Sequence, residues 1–268
     1  TVKFERELKK FTKSKYLVAT SSGTAALHLA LLSLNIKKGS EILMPALNYI
    51  AAANCCLYAG FSPHFIDVSQ DNIGIDFKNL EIYLANNTTV TKKKCINKKN
   101  NKTISAIIVP HLYGHIYEIE KLNSLSKKFK FKIIEDAAEA FGSYYKKKHA
   151  GTFGHAGILS FNGNKIITTG GGGAVIFKEK KNYLKAFHLA TISKKKHKYE
   201  YEYTEVGYNY RMPSINAALG LSQIKKIRHL ISLKKNIYKK IFLKFSNSKI
   251  FTILNEPKNC KSNYWLIT

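Results

Sequence analysis

Short apolar segments of strand length alternate with amphipathic segments of helical length along most of this chain, and this alternation restricts its fold. It is typical of an α/β domain with a mainly parallel sheet, because consecutive parallel strands need crossover helices between them. The predicted strands are residues 16–20, 41–44, 64–67, 105–110, 131–135, 157–161 and 173–177. The predicted helices are residues 5–11, 25–34, 50–59, 77–85, 116–129 and 180–190.

The remaining segments predict the domain organisation. Residues 86–102 consist mainly of Asn, Thr and Lys, which favours a solvated, inserted loop over a packed element. Apolar residues recur at helical spacing from residue 213 to residue 245 and predict one long helix. We therefore expect a large α/β domain over residues 1–212, and the connecting helix with the start of a smaller C-terminal domain over 213–268. The chain begins without Met and ends without a closing element, so we expect it to be part of a longer protein.

The formal net charge of +27 suggests a nucleic-acid-binding protein as one hypothesis, since basic surfaces displace counterions from phosphates. However, the basic residues are 41 Lys and only 3 Arg, and they are scattered through predicted helices and loops. Side chains that read bases and phosphates in a bidentate manner are usually Arg. The charge therefore indicates a compositional bias, and we expect no nucleic-acid partner.

The cysteines and the hydropathy of the chain predict the cellular compartment of the protein. The four cysteines, Cys55, Cys56, Cys95 and Cys260, form no CxxC pair, so we expect neither a disulfide nor a metal site. No apolar run approaches the roughly 18 residues of a membrane-spanning helix, and the first residues show no signal-peptide pattern. These features predict a cytoplasmic protein that does not associate with a membrane.

Lys165 stands apart from the other lysines, because it lies among apolar, small and amide residues with no charged neighbour in the sequence. A secluded amine of this kind can act as a nucleophile. Asp136 follows an apolar strand and falls at its carboxyl end, where open α/β sheets bind ligands, although an Asp there can also cap a helix. Before a predicted helix, Ser22, Gly23 and Thr24 offer N–H groups to a phosphate or serve as an ordinary cap.

Together, these three features suit pyridoxal phosphate, which needs an amine, an acid for its pyridine nitrogen and a cup for its phosphate. Five ordered motifs then resemble the DegT/StrS family of pyridoxal-phosphate-dependent nucleotide-sugar aminotransferases. They are Ser22-Gly23-Thr24-Ala25-Ala26-Leu27, Pro110-His111-Leu112-Tyr113-Gly114, Glu135-Asp136-Ala137-Ala138-Glu139, Ser160-Phe161-Asn162-Gly163-Asn164-Lys165 and Gly207-Tyr208-Asn209-Tyr210-Arg211-Met212. The resemblance spans nearly the whole chain. It implies an aspartate-aminotransferase-like fold (fold type I), with a large domain, a partial smaller C-terminal domain and assembly as a homodimer.

The resemblance also implies roles for individual residues. Lys165 would bond covalently to the cofactor and carry the proton during transamination, while Asp136 would keep the pyridine nitrogen protonated. Tyr49 would stack on the cofactor ring, its alternative being an ordinary aromatic residue at a helix start. The residues that would hold the phosphate are Gly23, Thr24 and Ser160, together with Asn209 from the partner subunit.

Four further residues are expected at the site with less specific roles. Glu139 departs from the family pattern, which often has Gln or His there near the cofactor's phenolic oxygen, and an ionised carboxylate could not donate that hydrogen bond. His111 and Tyr113 follow a predicted strand and are candidates for substrate or cofactor contacts, with a structural histidine as the alternative for His111. Arg211 could bind a phosphate or carboxylate, or could anchor the segment that carries Asn209.

The motif at Lys165, the four glycines at 170–173 and the polar insertion resemble the branch that acts on nucleotide-linked 4-keto-6-deoxy hexoses, of the kind that feeds bacillosamine and legionaminic acid synthesis. We therefore expect transamination of such a sugar to its 4-amino form, with L-glutamate as amino donor, in the synthesis of glycan precursors. An inactive or regulatory relative that binds pyridoxal phosphate is the alternative. A sugar dehydratase that uses the same cofactor has a histidine in place of the lysine, so Lys165 argues against that activity.

Overall fold

The structure, a computed structural model, describes residues 1–195 and 199–268. Its strands are β1 (Tyr16–Thr20), β2 (Glu41–Pro45), β3 (Ser62–Ile66), β4 (Thr88–Val90), β5 (Cys95–Asn97), β6 (Thr103–Pro110), β7 (Lys132–Asp136), β8 (Tyr144–Tyr145), β9 (Lys148–His149), β10 (Ala156–Ser160), β11 (Gly173–Phe177), β12 (Lys194–Lys195), β13 (Glu202–Tyr203) and β14 (Cys260–Lys261). Its α-helices are α1 (Val2–Thr12), α2 (Gly23–Ser33), α3 (Ala51–Tyr58), α4 (Phe77–Asn87), α5 (Ile119–Phe129), α6 (Lys180–Ala190) and α7 (Ser214–Phe245). A short 3₁₀ helix covers Leu112–Gly114.

The main sheet runs in the order β1-β11-β10-β7-β6-β2-β3. The strands from β10 to β3 in this order are parallel, whereas β11 is antiparallel to both β10 and β1. This arrangement confirms the predicted α/β fold with a mainly parallel sheet. Because parallel strands end on the same side, the carboxyl ends of β2, β6, β7 and β10 lie along one edge, and β11 begins at that edge.

Helices cover both faces of the sheet. One face packs against α1, α4, α5 and α7, and the other packs against α2, α3 and α6. In β6, Ile107 and Val109 belong to the first apolar core, while Ala106 and Ile108 belong to the second. Each strand is therefore apolar at successive positions in the sequence, because its alternate side chains are buried in the two cores on opposite faces of the sheet.

The prediction of a solvated loop over residues 86–102 is wrong. Part of this segment forms the β4–β5 hairpin, and β5 pairs antiparallel with the start of β6. Cys95 and Asn97 of β5 are buried, with 0% and 4% of their surfaces exposed. The composition of the segment does not indicate this packing, because the hairpin is held mainly by backbone hydrogen bonds and by one buried polar cluster.

Glu41 of β2 is the centre of that polar cluster. Its carboxylate accepts hydrogen bonds from Asn97 Nδ2 at 2.9 Å and Asn100 Nδ2 at 2.7 Å, and it lies 3.1 Å from His64 Nδ1. Burial by itself would raise the pKa of Glu41, but the hydrogen bonds from Asn97, Asn100 and His64 outweigh burial and lower the pKa. An ionised Glu41 thus joins the hairpin to the amino end of β2.

A second buried carboxylate, Glu135 of β7, ties a turn to the middle of the sheet. Its Oε1 accepts hydrogen bonds from the N–H groups of Phe153 and Gly154, both at 2.6 Å. Its Oε2 lies 2.8 Å from Gly151 N and 2.8 Å from His111 Nε2. Burial would raise the pKa of Glu135, but these donors outweigh burial and lower the pKa. Glu135 is therefore held as a carboxylate although none of its surface is exposed.

The segment after the long helix folds back onto the α/β domain. The helix predicted over 213–245 is confirmed as α7, which packs against α1. Beyond it, β14 pairs with β8, and Ser262 and Asn263 are buried. The start of a separate C-terminal domain within 213–268 stays a prediction.

Of the described helices, none combines the length and apolar character needed to cross a membrane, not even the 32-residue α7.

We predict that Asn97→Ala lowers the free energy of unfolding by about 1.5–3 kcal/mol, because it leaves the buried Glu41 carboxylate without one of its donors. Chemical denaturation followed by circular dichroism measures the change. The control is Asn86→Ala, at an exposed position of α4, for which stability should be unchanged or slightly higher because alanine favours a helix. Equal effects of the two substitutions would contradict a specific role for the Glu41 cluster.

A second prediction concerns Glu135→Gln, which keeps the shape of the side chain but places an N–H₂ group against N–H donors. The free energy of unfolding at pH 7 should fall by about 2–4 kcal/mol. Since the folded pKa of Glu135 lies below its ordinary value of 4.5, its stabilisation is present above that value and is lost as the pH falls through the folded pKa. The difference between wild type and variant should therefore narrow in acid. Glu120→Gln, at an exposed site, removes only a surface ion pair with Lys146 and should show a much smaller loss at pH 7. A difference that stays constant into acid would contradict the ionised state of Glu135.

Candidate active site

A cleft of about 340 Å³ opens at the sheet edge where the parallel strands end. Its lining includes the loop before α2, the ends of β6, β7 and β10, and the turn between β10 and β11. Nine of the residues singled out in the sequence line it together: Ser22, Gly23, Thr24, Tyr49, His111, Asp136, Glu139, Ser160 and Lys165. Residues distant in the sequence thus meet because their strands end side by side.

The N-terminus of α2 forms one end of the cleft. Ser22 caps this helix, since its Oγ accepts a hydrogen bond from Ala25 N at 3.0 Å and its carbonyl accepts one from Ala26 N. The N–H groups of Gly23 and Thr24 are left without an intrahelical partner and point outward at the positive end of the helix dipole. The helix begins two residues earlier than predicted, which places both groups in its first turn.

Ser160, at the end of β10, packs directly against this helix start. A Cβ atom on residue 23 would lie only 3.1 Å from Ser160 Cβ, so glycine allows the strand end and the helix to approach closely. The Ser160 hydroxyl then lies beside the free N–H groups. This set of neutral donors, with a helix dipole behind it, fits a phosphate group.

Asp136 lies at the end of β7, in the floor of the cleft. Its Oδ1 accepts a hydrogen bond from Ala138 N at 3.1 Å. Burial raises the pKa of Asp136, and the Ala138 N–H group and the charges of Lys165 and His111 only partly oppose this rise. A half-buried carboxylate with one backbone donor and space in front of it fits a cationic ring nitrogen, whose charge would stabilise its ionised form.

Lys165 projects into the cleft from the turn between β10 and β11, with 14% of its side chain exposed. Its Nζ lies 3.9 Å from Glu139 Oε1 and 3.9 Å from the centre of the Trp265 ring. Burial lowers the pKa of Lys165, and the carboxylates of Glu139 and Asp136 only partly oppose this lowering. Lys165 thus has no charged neighbours in the sequence, but in the folded structure the carboxylates of Glu139 and Asp136 lie near its amine. The helix dipole, the Asp136 carboxylate and the Lys165 amine together fit pyridoxal phosphate.

Glu139 and His111 form the wall beside Asp136. Glu139 Oε2 accepts a hydrogen bond from the Tyr113 N–H group at 2.7 Å, so Tyr113 contributes its backbone rather than lining the cleft with its side chain. Burial raises the pKa of Glu139, against the effects of the Tyr113 N–H group and Lys165. His111 is held by Glu135, which supports the structural interpretation of this histidine while leaving its ring at the cleft wall.

Two residues singled out in the sequence lie away from the cleft of their own chain. Asn209 is exposed, and its backbone pairs with that of Thr191 in a single antiparallel β-bridge. Arg211 Nη1 lies 2.6 Å from Glu5 Oε1 and 3.2 Å from the Ala19 carbonyl oxygen, so its guanidinium joins α1 to β1. The structure therefore supports the anchoring interpretation of Arg211 and not a substrate contact within its own chain.

Sequence reasoning missed one residue that supports the cleft wall and one that lines the cleft. Glu135 was noted only as part of a motif, although a charged residue inside an apolar strand was a signal for a buried hydrogen-bonding role. Trp265 lines the cleft opposite Lys165, 100 positions further along the chain. Being the only tryptophan was its sole distinguishing feature, and nothing local placed it at the active site.

Comparison with known proteins identifies a matching family and several relatives. Residues 1–268 match the DegT/DnrJ/EryC1/StrS aminotransferase family. The chain is 38% identical over 266 residues to a GDP-perosamine synthase of Escherichia coli O157:H7, covering 99% of this chain and 68% of that protein. It is 36% identical over 255 residues to a UDP-4-amino-4,6-dideoxy-N-acetyl-beta-L-altrosamine transaminase of Campylobacter jejuni, covering 92% of this chain and 64% of that protein. The chain thus spans about two thirds of the length of these relatives.

Two solved structures show the same fold. Helicobacter pylori PseC, an aminotransferase involved in the biosynthesis of pseudoaminic acid, superposes with a TM-score of 0.87 at 29% identity, over 99% of this chain and 68% of that one. A putative sugar aminotransferase of Streptococcus pneumoniae, solved in its PMP form, superposes with a TM-score of 0.86 at 26% identity, over 100% and 68% of the two chains. From its sequence, its fold and the residues that converge in its cleft, this chain belongs to the DegT/DnrJ/EryC1/StrS family of pyridoxal-phosphate-dependent aminotransferases.

Proposed function

We propose that this protein transfers an amino group from L-glutamate to a nucleotide-linked 4-keto-6-deoxy sugar, giving the 4-amino sugar used in glycan precursor synthesis. The observation that carries the proposal is the meeting of Lys165, Asp136 and the start of α2 in one cleft. An amine, a carboxylate and a phosphate-binding helix end are the three groups that pyridoxal phosphate requires. When bound, this cofactor supplies an aldehyde for an amino group and a ring that withdraws electrons from the reacting carbon.

The residues of this chain have distinct tasks in that reaction. The N–H groups of Gly23 and Thr24, with the Ser160 hydroxyl, bind the phosphate and so fix the position of the ring. The Asp136 carboxylate holds a proton on the ring nitrogen, which keeps the ring electron-poor. With the cofactor bound, Lys165 Nζ would take a proton from the donor carbon that bears the amino group and pass it to the cofactor. In the second half of the reaction it would carry a proton from the cofactor to the sugar carbon.

The substrate class rests on the relatives and on the polar rim of the cleft. The relatives are named for GDP-linked and UDP-linked amino sugars. Near Lys165 the rim carries the exposed amides of Asn162 and Asn164, which can donate to and accept from sugar hydroxyl groups. All four cysteines are buried free thiols, which supports a reducing compartment such as the cytoplasm.

Exposed apolar side chains around the cleft support assembly as a homodimer. Tyr49 is 69% exposed beside the site, and Ile50, Leu57 and Tyr58 of the same region are each more than 60% exposed. Apolar side chains clustered in this way favour coverage by another subunit. We therefore propose that a second copy covers this region and that its Asn209, exposed on its own chain, completes the phosphate site.

The first test is Lys165→Ala. We expect it to lower turnover at least about a hundredfold with glutamate and either GDP-linked or UDP-linked 4-keto-6-deoxy hexose, because the proton carrier is lost. The visible absorbance of the bound cofactor should shift on adding glutamate in wild type and not in the variant. Lys147→Ala, at an exposed lysine away from the cleft, is the control and should retain wild-type turnover. A wild-type protein that shows the absorbance but neither the shift nor turnover would support an inactive or regulatory relative instead.

The second test uses mixed dimers. Lys165→Ala and Asn209→Ala variants, each inactive at a low cofactor concentration, should regain about a quarter of wild-type activity when equal amounts exchange subunits. Half of the dimers are then mixed, and each contains one intact site if Asn209 acts across the interface. If Asn209 serves its own chain, mixed dimers contain no intact site and the activity does not return. Mixing either variant with itself is the control.

A further inference from the structure

The residues after the long helix return to the cleft and are held there by Asn263. We call residues 260–268 the return segment. Asn263 has none of its surface exposed, and its Nδ2 donates to the carbonyl oxygens of Glu139 at 2.8 Å and Phe141 at 2.9 Å. Its N–H group donates to Ser143 Oγ at 2.9 Å. The return segment is therefore attached to the same loop that carries Glu139.

Gly114 makes room for this attachment. A Cβ atom on residue 114 would overlap Asn263 Oδ1, and the residue has a φ of +97°, in the region that favours glycine. Asn263 Oδ1 in turn accepts a hydrogen bond from Trp265 N at 2.9 Å. One buried amide thus sets the positions of both the Glu139 loop and the Trp265 backbone.

The Trp265 side chain is fixed over Lys165. Its indole Nε1 donates a hydrogen bond to the Asn164 carbonyl oxygen at 2.7 Å, and 8% of the residue is exposed. The ring centre lies 3.9 Å from Lys165 Nζ, at a distance suited to a cation–π interaction. Because Asn164 precedes Lys165 directly, this hydrogen bond also ties the ring to the backbone that carries the amine.

Glu139 approaches the same amine with its carboxylate. Its Oε2 is held by the Tyr113 N–H group, which leaves Oε1 directed toward Lys165 Nζ at 3.9 Å. In this chain the Lys165 amine therefore has an aromatic face and a carboxylate as neighbours, both of which favour a cation.

We propose that Trp265 and Glu139 are positioning residues that hold the amino group of Lys165 as an ammonium at the point where it receives and returns the substrate's proton. This proposal rests on the proposed function, since the ammonium needs such stabilisation only if Lys165 carries a proton during transamination. The physical need arises from burial, which disfavours the charged form of Lys165. Without opposing contacts, the amine would release its proton too readily to carry it between two atoms.

The other titratable groups that line the cleft are Tyr49, His111 and Asp136. Of these, Asp136 adds to the stabilisation of the ammonium, as it also raises the pKa of Lys165. Any experiment must therefore leave Asp136 intact and change only Trp265 or Glu139.

The test is competitive labelling of the cofactor-free protein with acetic anhydride over a range of pH, with the Lys165 peptide quantified by mass spectrometry. The midpoint of the labelling curve reports the pKa of Lys165, and its plateau reports access to the amine. In Trp265→Leu and Glu139→Gln the midpoint should move to lower pH, so that labelling at neutral pH is roughly three- to tenfold faster. Trp265→Phe keeps an aromatic face and should restore much of the wild-type midpoint.

Glu120→Gln, which removes an exposed carboxylate that pairs with Lys146, is the matched control and should leave the Lys165 midpoint unchanged. A change of plateau without a change of midpoint would overturn the proposal, because Trp265 would then only shield the amine. An unchanged curve in Glu139→Gln would overturn the role of that residue. Since no turnover is measured, these outcomes are independent of the proposed function, whose own failure would appear as absent transamination in the wild type.

Discussion

The parallel register of β7 with its neighbours is the constraint on which the whole cleft depends. Asp136 lies opposite Pro110 of β6 and opposite Ile158 of β10, so it is flanked by the strand ends that lead to His111 and Ser160. Strand β11 then runs antiparallel between β10 and β1, and the turn before it brings Lys165 back over the same edge. A slip of one residue in β7 would turn Asp136 into the core and Glu135 toward the cleft.

The two adjacent carboxylates of β7 have different roles because this register places them in different surroundings. Glu135 meets three backbone N–H groups and a histidine, so its pKa is lowered and it serves the fold. Asp136 has one backbone donor and is otherwise buried at the cleft floor, so its pKa is raised. Because its negative charge is only partly compensated by the protein, Asp136 is suited to bind a cation, and a protonated ring nitrogen is the cation that the cleft fits.

Much of the fold and most of the site could be predicted from the sequence, for reasons that particular residues make clear. The alternation of strands and helices is a local property of apolar spacing, and the motifs that contain Gly23, Asp136 and Lys165 are contiguous. The β4–β5 hairpin could not be recognised, because Cys95 and Ile96 are flanked on both sides by polar residues and the partner of Asn97 is Glu41, more than 50 positions earlier. Arg211 likewise gave no local sign that its partner would be Glu5.

The sequence by itself determined the fold class, through the alternation of apolar segments along the chain. It also determined the family and the three groups that can hold a phosphorylated aldehyde cofactor, because these are encoded in short contiguous motifs. Only the tertiary structure decided what surrounds those groups. It placed Glu139 and Trp265 against the amine of Lys165, a lysine without charged neighbours in the sequence. The reason is physical: the charge state of a buried amine depends on distances to groups from other segments, and those distances exist only after β7, the turn before β11 and the return segment have packed together.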